Sequence, residues 1–289
     1  MQIKITDTKT IANLQGYMAI LLWSFSAYFI SLTTQLPTLL VAGLSSVAGF
    51  SFFAITWSRK KEKLQVAFRQ PWQIWLLYFA AVVAYRGFYF AGLKTAPIVE
   101  ANLLNYLWPL LILLFSSLLD HQRMAKKTYV GAICCFIGII CIGLSKGNGS
   151  LTFEAGHIFA ILAAITWGGY SVMTRRFPAA PIDMIGLMHF IAAFLFILSH
   201  SLFEPPVDWV QTSWTNVFGV LGLGLSMSLG YSLWDRAMTH GSREKVAVAA
   251  YYTPLLSTFW LIALGSSHLT GLTLLAAVLI LGGSLFARL

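Results

Sequence analysis

Apolar runs long enough to cross a bilayer recur along this chain, and they fix its class before anything else. A helix needs about 20 apolar residues to span the hydrocarbon. Ten such segments are read, at about 12–32, 38–57, 72–92, 98–118, 127–144, 155–174, 182–203, 213–235, 245–264 and 269–286. Lipid offers no partner for an open backbone, so each is expected to be a helix. Composition agrees. The 289 residues are 58% hydrophobic and only 10% charged, where a soluble domain carries about a quarter. A soluble α/β protein is excluded. The first run is too long for a signal-peptide core and lacks a small-residue cleavage site, so it is read as a retained span.

The net charge of +9 could point to nucleic acid, but its placement points elsewhere. Sixteen of the 19 Lys and Arg residues fall on one side of the expected topology, among them Arg59 to Arg69, Lys126, Lys127, Arg175, Arg176, Arg236 and Arg243. Lys94 and Lys146 fall on the other, and Arg86 lies within the third span. That asymmetry predicts both termini in the cytoplasm. Nucleic acid is not an expected partner; the bilayer and a small molecule are. Cys134, Cys135 and Cys141 share one apolar run and read as packing residues. No metal-ligand spacing, H-E-x-x-H or G-x-S-x-G is present, so neither a cofactor nor an enzyme is expected.

The chain repeats itself. The stripe Gly16, Ala19, Ile20, Trp23, Ser26, Ala27 falls, 144 residues on, upon Ala160, Ala163, Ala164, Trp167, Tyr170, Ser171. "NYLWPLL" at 105–111 answers "AYYTPLL" at 250–256, matching Tyr106 with Tyr251 and Pro109 with Pro254. The expected units are residues 1–145 and 146–289, five spans each. An odd number of spans inverts the second unit relative to the first, which is a transporter arrangement with its site at the interface of the repeats.

Polar residues in the spans suggest where that site lies. In the fourth span Asn102, Asn105, Tyr106 and Pro109 fall within about a quarter-circle at helical spacing, and this face must meet protein or a wet cavity. Amides beside a tyrosine hydroxyl suit an amino-acid carboxylate or ammonium; bonding to neighbouring helices is the plainer reading. Tyr78, Tyr85 and Tyr89 lie within about 40° of one another on the third span and could line the path. Arg86 beside them could pair with a substrate carboxylate or snorkel to outer headgroups. His189 reads first as a satisfied interior histidine and second as a proton carrier. An inventory of aromatics, amides and hydroxyls suits a mostly neutral or zwitterionic substrate. Glu100, Asp120, Glu154 and Asp235 all read as lying near span ends, so proton antiport is not expected.

Ten spans, the paired tryptophans and the "P-L-L" of spans 4 and 9 resemble the EamA-type drug/metabolite transporter superfamily. "EANLLNYLWPLLILL" and "YYTPLLST" resemble its YddG group of amino-acid exporters more closely. The resemblance implies an all-α bundle around a central cavity lined from spans 1–4 and 6–9. It also implies export of neutral and aromatic amino acids and of some aromatic cations. Motif positions carry over to Asn105, Tyr106, Trp108, Pro109, Tyr251 and Pro254. An organic-anion exchanger or a proton-coupled multidrug carrier is the alternative. The expected substrate-binding set is therefore Trp23, Tyr78, Tyr85, Arg86, Tyr89, Asn102, Asn105, Tyr106, Trp167, Tyr170, His189 and Tyr251, with Pro109 and Pro254 as hinges.

Overall fold

The computed structural model describes residues 5–59, 61–96, 98–119, 125–144, 154–264 and 271–288. Asp120 and Lys146, which figured in the sequence reading, lie outside them. Helices make up nearly all of the described residues, and no strand occurs among them.

Eight helical stretches are long and apolar enough to cross a membrane: Thr8–Ser31, Thr38–Arg59, Trp72–Thr95, Glu100–Leu119, Ala155–Arg176, Asp183–Phe203, Trp214–His240 and Arg243–Ala263. Several are composite. The first is α1 (Ile5–Ser24) followed by the short α2 (Ser26–Ser31). The second is α3 (Thr38–Arg59), after which α4 (Lys61–Phe68) forms a connection. The third joins α5 (Trp72–Phe79) to α6 (Tyr85–Thr95) through a π-helical turn at Ala80–Ala84. The fourth divides into α7 (Ile98–Asn105) and α8 (Trp108–Leu119). Then come α9 (Lys126–Leu144), α10 (Ala155–Met173), α11 (Asp183–Phe203) and α12 (Trp214–His240). The last stretch divides into α13 (Arg243–Ala249) and α14 (Tyr252–Ala263), and α15 (Gly271–Arg288) ends the chain. The expected segments 127–144 and 269–286 coincide with α9 and α15.

Helix α12 runs five residues past the expected end at 235, because neither glycine nor proline follows Asp235 before Gly241. Asp235 therefore lies more than a turn inside the helix, not at its end.

The main helix pairs are α1 with α12, α6 with α10, α3 with α11, and α9 with α15. Exchanging the first five expected spans for the second five maps this set onto itself. At the α9–α15 crossing, a Cβ on Gly131 or Gly283 would strike the other's carbonyl oxygen, so the two backbones touch. Leu118, Phe194, Leu202 and Val278 face outward while Ser46, Arg86, His189 and Ser228 are buried. That polarity is what a lipid solvent selects.

Long-range bonds define the two ends of the bundle. At one, Trp57 Nε1 donates to Asp183 Oδ1 (2.7 Å), Arg175 Nη2 to the Gly241 carbonyl (2.7 Å), the Ser242 amide to Asn13 Oδ1 (2.7 Å), and Thr128 to Glu244. The basic residues Arg59, Lys126, Arg176 and Arg243 gather there. At the other end Glu204 accepts from the amides of Leu39 and Leu40 and pairs with Lys94 Nζ (2.7 Å), while His157 Nε2 meets Glu100 Oε2 (2.7 Å). Glu204 thus serves the amides that open α3, which have no intrahelical partner.

Candidate substrate path

The middle of the bundle is aromatic. Trp23 on α1 and Trp167 on α10 meet edge to face with ring centroids 5.5 Å apart. Tyr231 and Trp234 from α12 close on both: Tyr231 lies 5.9 Å from Trp23 and 5.1 Å from Trp167, and Trp234 lies 5.3 Å from Trp23. Trp108 stands edge-on to Trp234 at 5.3 Å. Offset and edge-to-face contacts of this kind each add about 0.5–1.5 kcal/mol beyond area burial. Trp234 also donates through Nε1 to Ser171 Oγ, 2.9 Å. Sequence reading missed Tyr231 and Trp234. Ser228, Tyr231 and Asp235 recur at i, i+3 and i+7, a one-face spacing that the many glycines of α12 concealed.

Beside Trp167 the third and fourth spans present hydroxyls and amides. Tyr85 lies 5.1 Å from Trp167 and stacks on Tyr89 at 6.1 Å, nearly parallel at 5°. Tyr89 OH donates to Asn102 Oδ1 (2.5 Å), and Asn105 Nδ2 donates to Tyr85 OH (3.4 Å). Asn105 is buried, yet its Oδ1 has no partner. An unpaired buried acceptor is costly unless something else comes to meet it. Tyr85, Tyr89, Asn102 and Tyr106 keep partial exposure although they sit among these contacts.

Tyr78 does not share this cluster. The π turn between α5 and α6 inserts a residue, shifting the register that placed all three tyrosines on one stripe. Tyr78 is buried and donates to Asp235 Oδ1 (3.2 Å), which also accepts from Tyr170 OH (2.7 Å). The Tyr78 and Tyr170 rings lie edge to face at 5.9 Å. Asp235 borders a crevice of about 240 Å³ at the basic end, with Phe177, Asp183, Arg236 and His240.

Arg86 does not snorkel toward outer headgroups. It is buried, with Nη1 donating to Ser46 Oγ (2.6 Å) and Nη2 to Ser45 Oγ and the Ala42 carbonyl (3.0 Å each). Its guanidinium rests against Phe90 and Phe196. It ties the third span to the second. His189 is fully buried, stacked on Tyr231 with its Nε2 3.2 Å from Ser228 Oγ. Gly49 leaves room for both, since a Cβ there would collide with the Ser228 hydroxyl. Tyr251 is fully buried as well.

Both proline-bearing spans are interrupted. Helix α7 ends at Asn105, four residues before Pro109, and α13 ends at Ala249, five before Pro254. Proline cannot donate to the preceding turn, so the backbone breaks there.

The EamA-like transporter family matches residues 10–144 and again residues 154–289. The chain is 34% identical over 285 residues, 98% of each chain, to the aromatic amino acid exporter YddG of Ancylobacter novellus. It is 24% identical over 204 residues to the protein of that name from Escherichia coli K12, covering 66% of this chain and 67% of the other. The pseudopaline exporter CntI of Pseudomonas aeruginosa is 24% identical over 193 residues, 66% of each chain. A crystal structure with 33% identity superposes over 96% of both chains with a TM-score of 0.87. The chain is a multi-pass membrane transporter, not an enzyme, and belongs to the EamA-like transporter family.

Proposed function

We propose that this protein is an inner-membrane exporter of amino acids, aromatic and other neutral ones, that works by alternating access without a coupling ion. The observation carrying the substrate class is the uncharged lining beside Trp167. Tyr85, Tyr89, Asn102 and Asn105 offer stacking faces, hydroxyls and one unpaired amide oxygen. Such a surface suits a zwitterion with an apolar or aromatic body, and the activity for which the relatives are named agrees. An organic-anion exchanger would want a free cation in the path. Arg86 is already committed to Ser45, Ser46 and Ala42.

Ten spans in two inverted halves, residues 1–145 and 146–289, complete the proposal. The two family matches support it, and so does the helix pairing that survives exchange of the halves. The basic end of the bundle is the cytoplasmic one by the positive-inside rule, with both chain termini on that side. Pro109 and Pro254 mark the hinges.

Asp235 favours a second reading. It is a buried carboxylate inside a span, as proton-coupled carriers require, and its position in α12 removes the reason for dismissing it. Counterflow tests the carrier reading. Vesicles containing the purified protein and preloaded with unlabelled phenylalanine are expected to accumulate labelled phenylalanine transiently above its outside concentration. Simple equilibration without overshoot would indicate a pore.

A further inference from the structure

A polar contact lies between the aromatic cluster and the crevice at the basic end. Tyr78 belongs to the first family-matched stretch, and Tyr170 and Asp235 to the second. The Tyr78–Asp235 bond of 3.2 Å therefore crosses between the halves, while the Tyr170–Asp235 bond of 2.7 Å lies within one of them. Both hydroxyls donate to the same oxygen of a carboxylate, an acceptor that makes stronger bonds than a neutral one. Above them stand Trp167, in ring contact with Tyr170 at 5.3 Å, and Trp234, next in sequence to Asp235. Below them opens the crevice. Asp235 borders the crevice, and through its two tyrosine bonds it is joined to Trp167 and the aromatic cluster beyond. The π turn at Ala80–Ala84, which begins two residues after Tyr78, is a local irregularity of the kind that concentrates at functional sites.

We propose that Asp235 is the latch of the inner gate: it holds Tyr78 across the interface of the halves, and that bond breaks when the path opens to the cytoplasmic crevice. Tyr170 stays with Asp235 and keeps its carboxylate oriented for reclosure. Asp235 is thus a positioning residue of the transport cycle. The proposal rests on the alternating-access reading above.

The test is accessibility from the cytoplasmic side. Thr174 lies one helical turn beyond Tyr170 toward that end and is buried. Thr174→Cys, in a background with Cys134→Ala, Cys135→Ala and Cys141→Ala, reports opening through its rate of reaction with a membrane-impermeant maleimide. Adding Tyr78→Phe keeps the ring and removes only the hydroxyl. The expected result is roughly a tenfold faster reaction, as loss of one hydrogen bond to a charged acceptor implies. Asp235→Asn, which keeps an acceptor but not the charge, is expected to give a smaller rise. Rates unchanged in both variants would overturn the latch. The carrier reading is checked separately in the Thr174→Cys protein with Tyr78 intact. If saturating phenylalanine leaves its maleimide reaction rate unchanged, alternating access is in doubt, whatever Tyr78→Phe does.

Discussion

Trp23 and Trp167 stand 144 positions apart in sequence and 5.5 Å apart in the fold, edge to face at the centre of the bundle. They occupy matching places in the two family-matched stretches, so the pair sits where the halves meet. Trp167 also touches Tyr85, Tyr170, Tyr231 and Trp234.

Trp167→Ala is expected to lower phenylalanine transport at least tenfold, about 1.4 kcal/mol of lost stabilisation. Threonine transport should suffer less, because its side chain has no ring to stack. The ratio of the two uptake rates in vesicles checks this, and an equal loss for both would make Trp167 a packing residue only.

Asn105→Leu removes the unpaired oxygen, and Asn102→Leu removes the acceptor of Tyr89. Each is expected to slow transport while leaving membrane insertion intact. Asn105→Leu should raise KM more than it lowers kcat, since its unpaired oxygen is an acceptor for a substrate ammonium. Wild-type uptake by both variants would remove the fourth span from the site.

Pro109→Ala restores a donor at the break between α7 and α8. Turnover is expected to fall, with any change in KM accompanying it, as for a hinge that absorbs backbone change. Pro254→Ala should behave alike at the matching break. Uptake kinetics over a range of phenylalanine concentrations distinguish this from a binding defect.

Arg86→Met is expected to cost about 2–3 kcal/mol of stability, because bonds from a charged donor to the second span are lost. Its thermal midpoint in detergent should drop, while KM for phenylalanine in the surviving protein stays near wild type. A large rise in KM at unchanged stability would return Arg86 to the substrate.

Glu204 predicts a pH dependence at the end opposite the basic one. Burial pushes its carboxyl up, but Lys94, the Leu39 amide and His200 outweigh that and hold it below the usual carboxylate range. A depressed acid stabilises the folded state above its unfolded pKa of about 4.3 and loses that contribution as pH falls through the lower folded value. Glu204→Gln should therefore reduce the thermal midpoint at pH 7, with the gap to wild type closing under acid. A gap that stays constant with pH would contradict the role.

Much of this fold is legible in the sequence because lipid leaves the backbone few choices. Span lengths and the Trp23–Trp167 match need no tertiary information. The Asn102–Asn105 face follows from helical spacing, and the proline breaks from the missing N–H. What escaped has local causes. Hydropathy fades at Arg236, so it cannot show that α12 continues to His240 and carries Asp235 inside. Uniform helical spacing cannot show a π turn, so it groups Tyr78 with Tyr85 and Tyr89. Arg86 stands next to the tyrosine stripe in sequence, but its partners Ser45 and Ser46 lie about 40 residues away on another helix.

The central claim is an amino-acid carrier that needs no coupling ion. Uptake of labelled phenylalanine, threonine and methionine into vesicles of the purified protein, with and without an imposed pH gradient, tests it most directly. The account predicts that uptake stops at equal inside and outside concentrations and does not respond to the gradient. Accumulation above that level, driven by the gradient and abolished by Asp235→Asn, would contradict it.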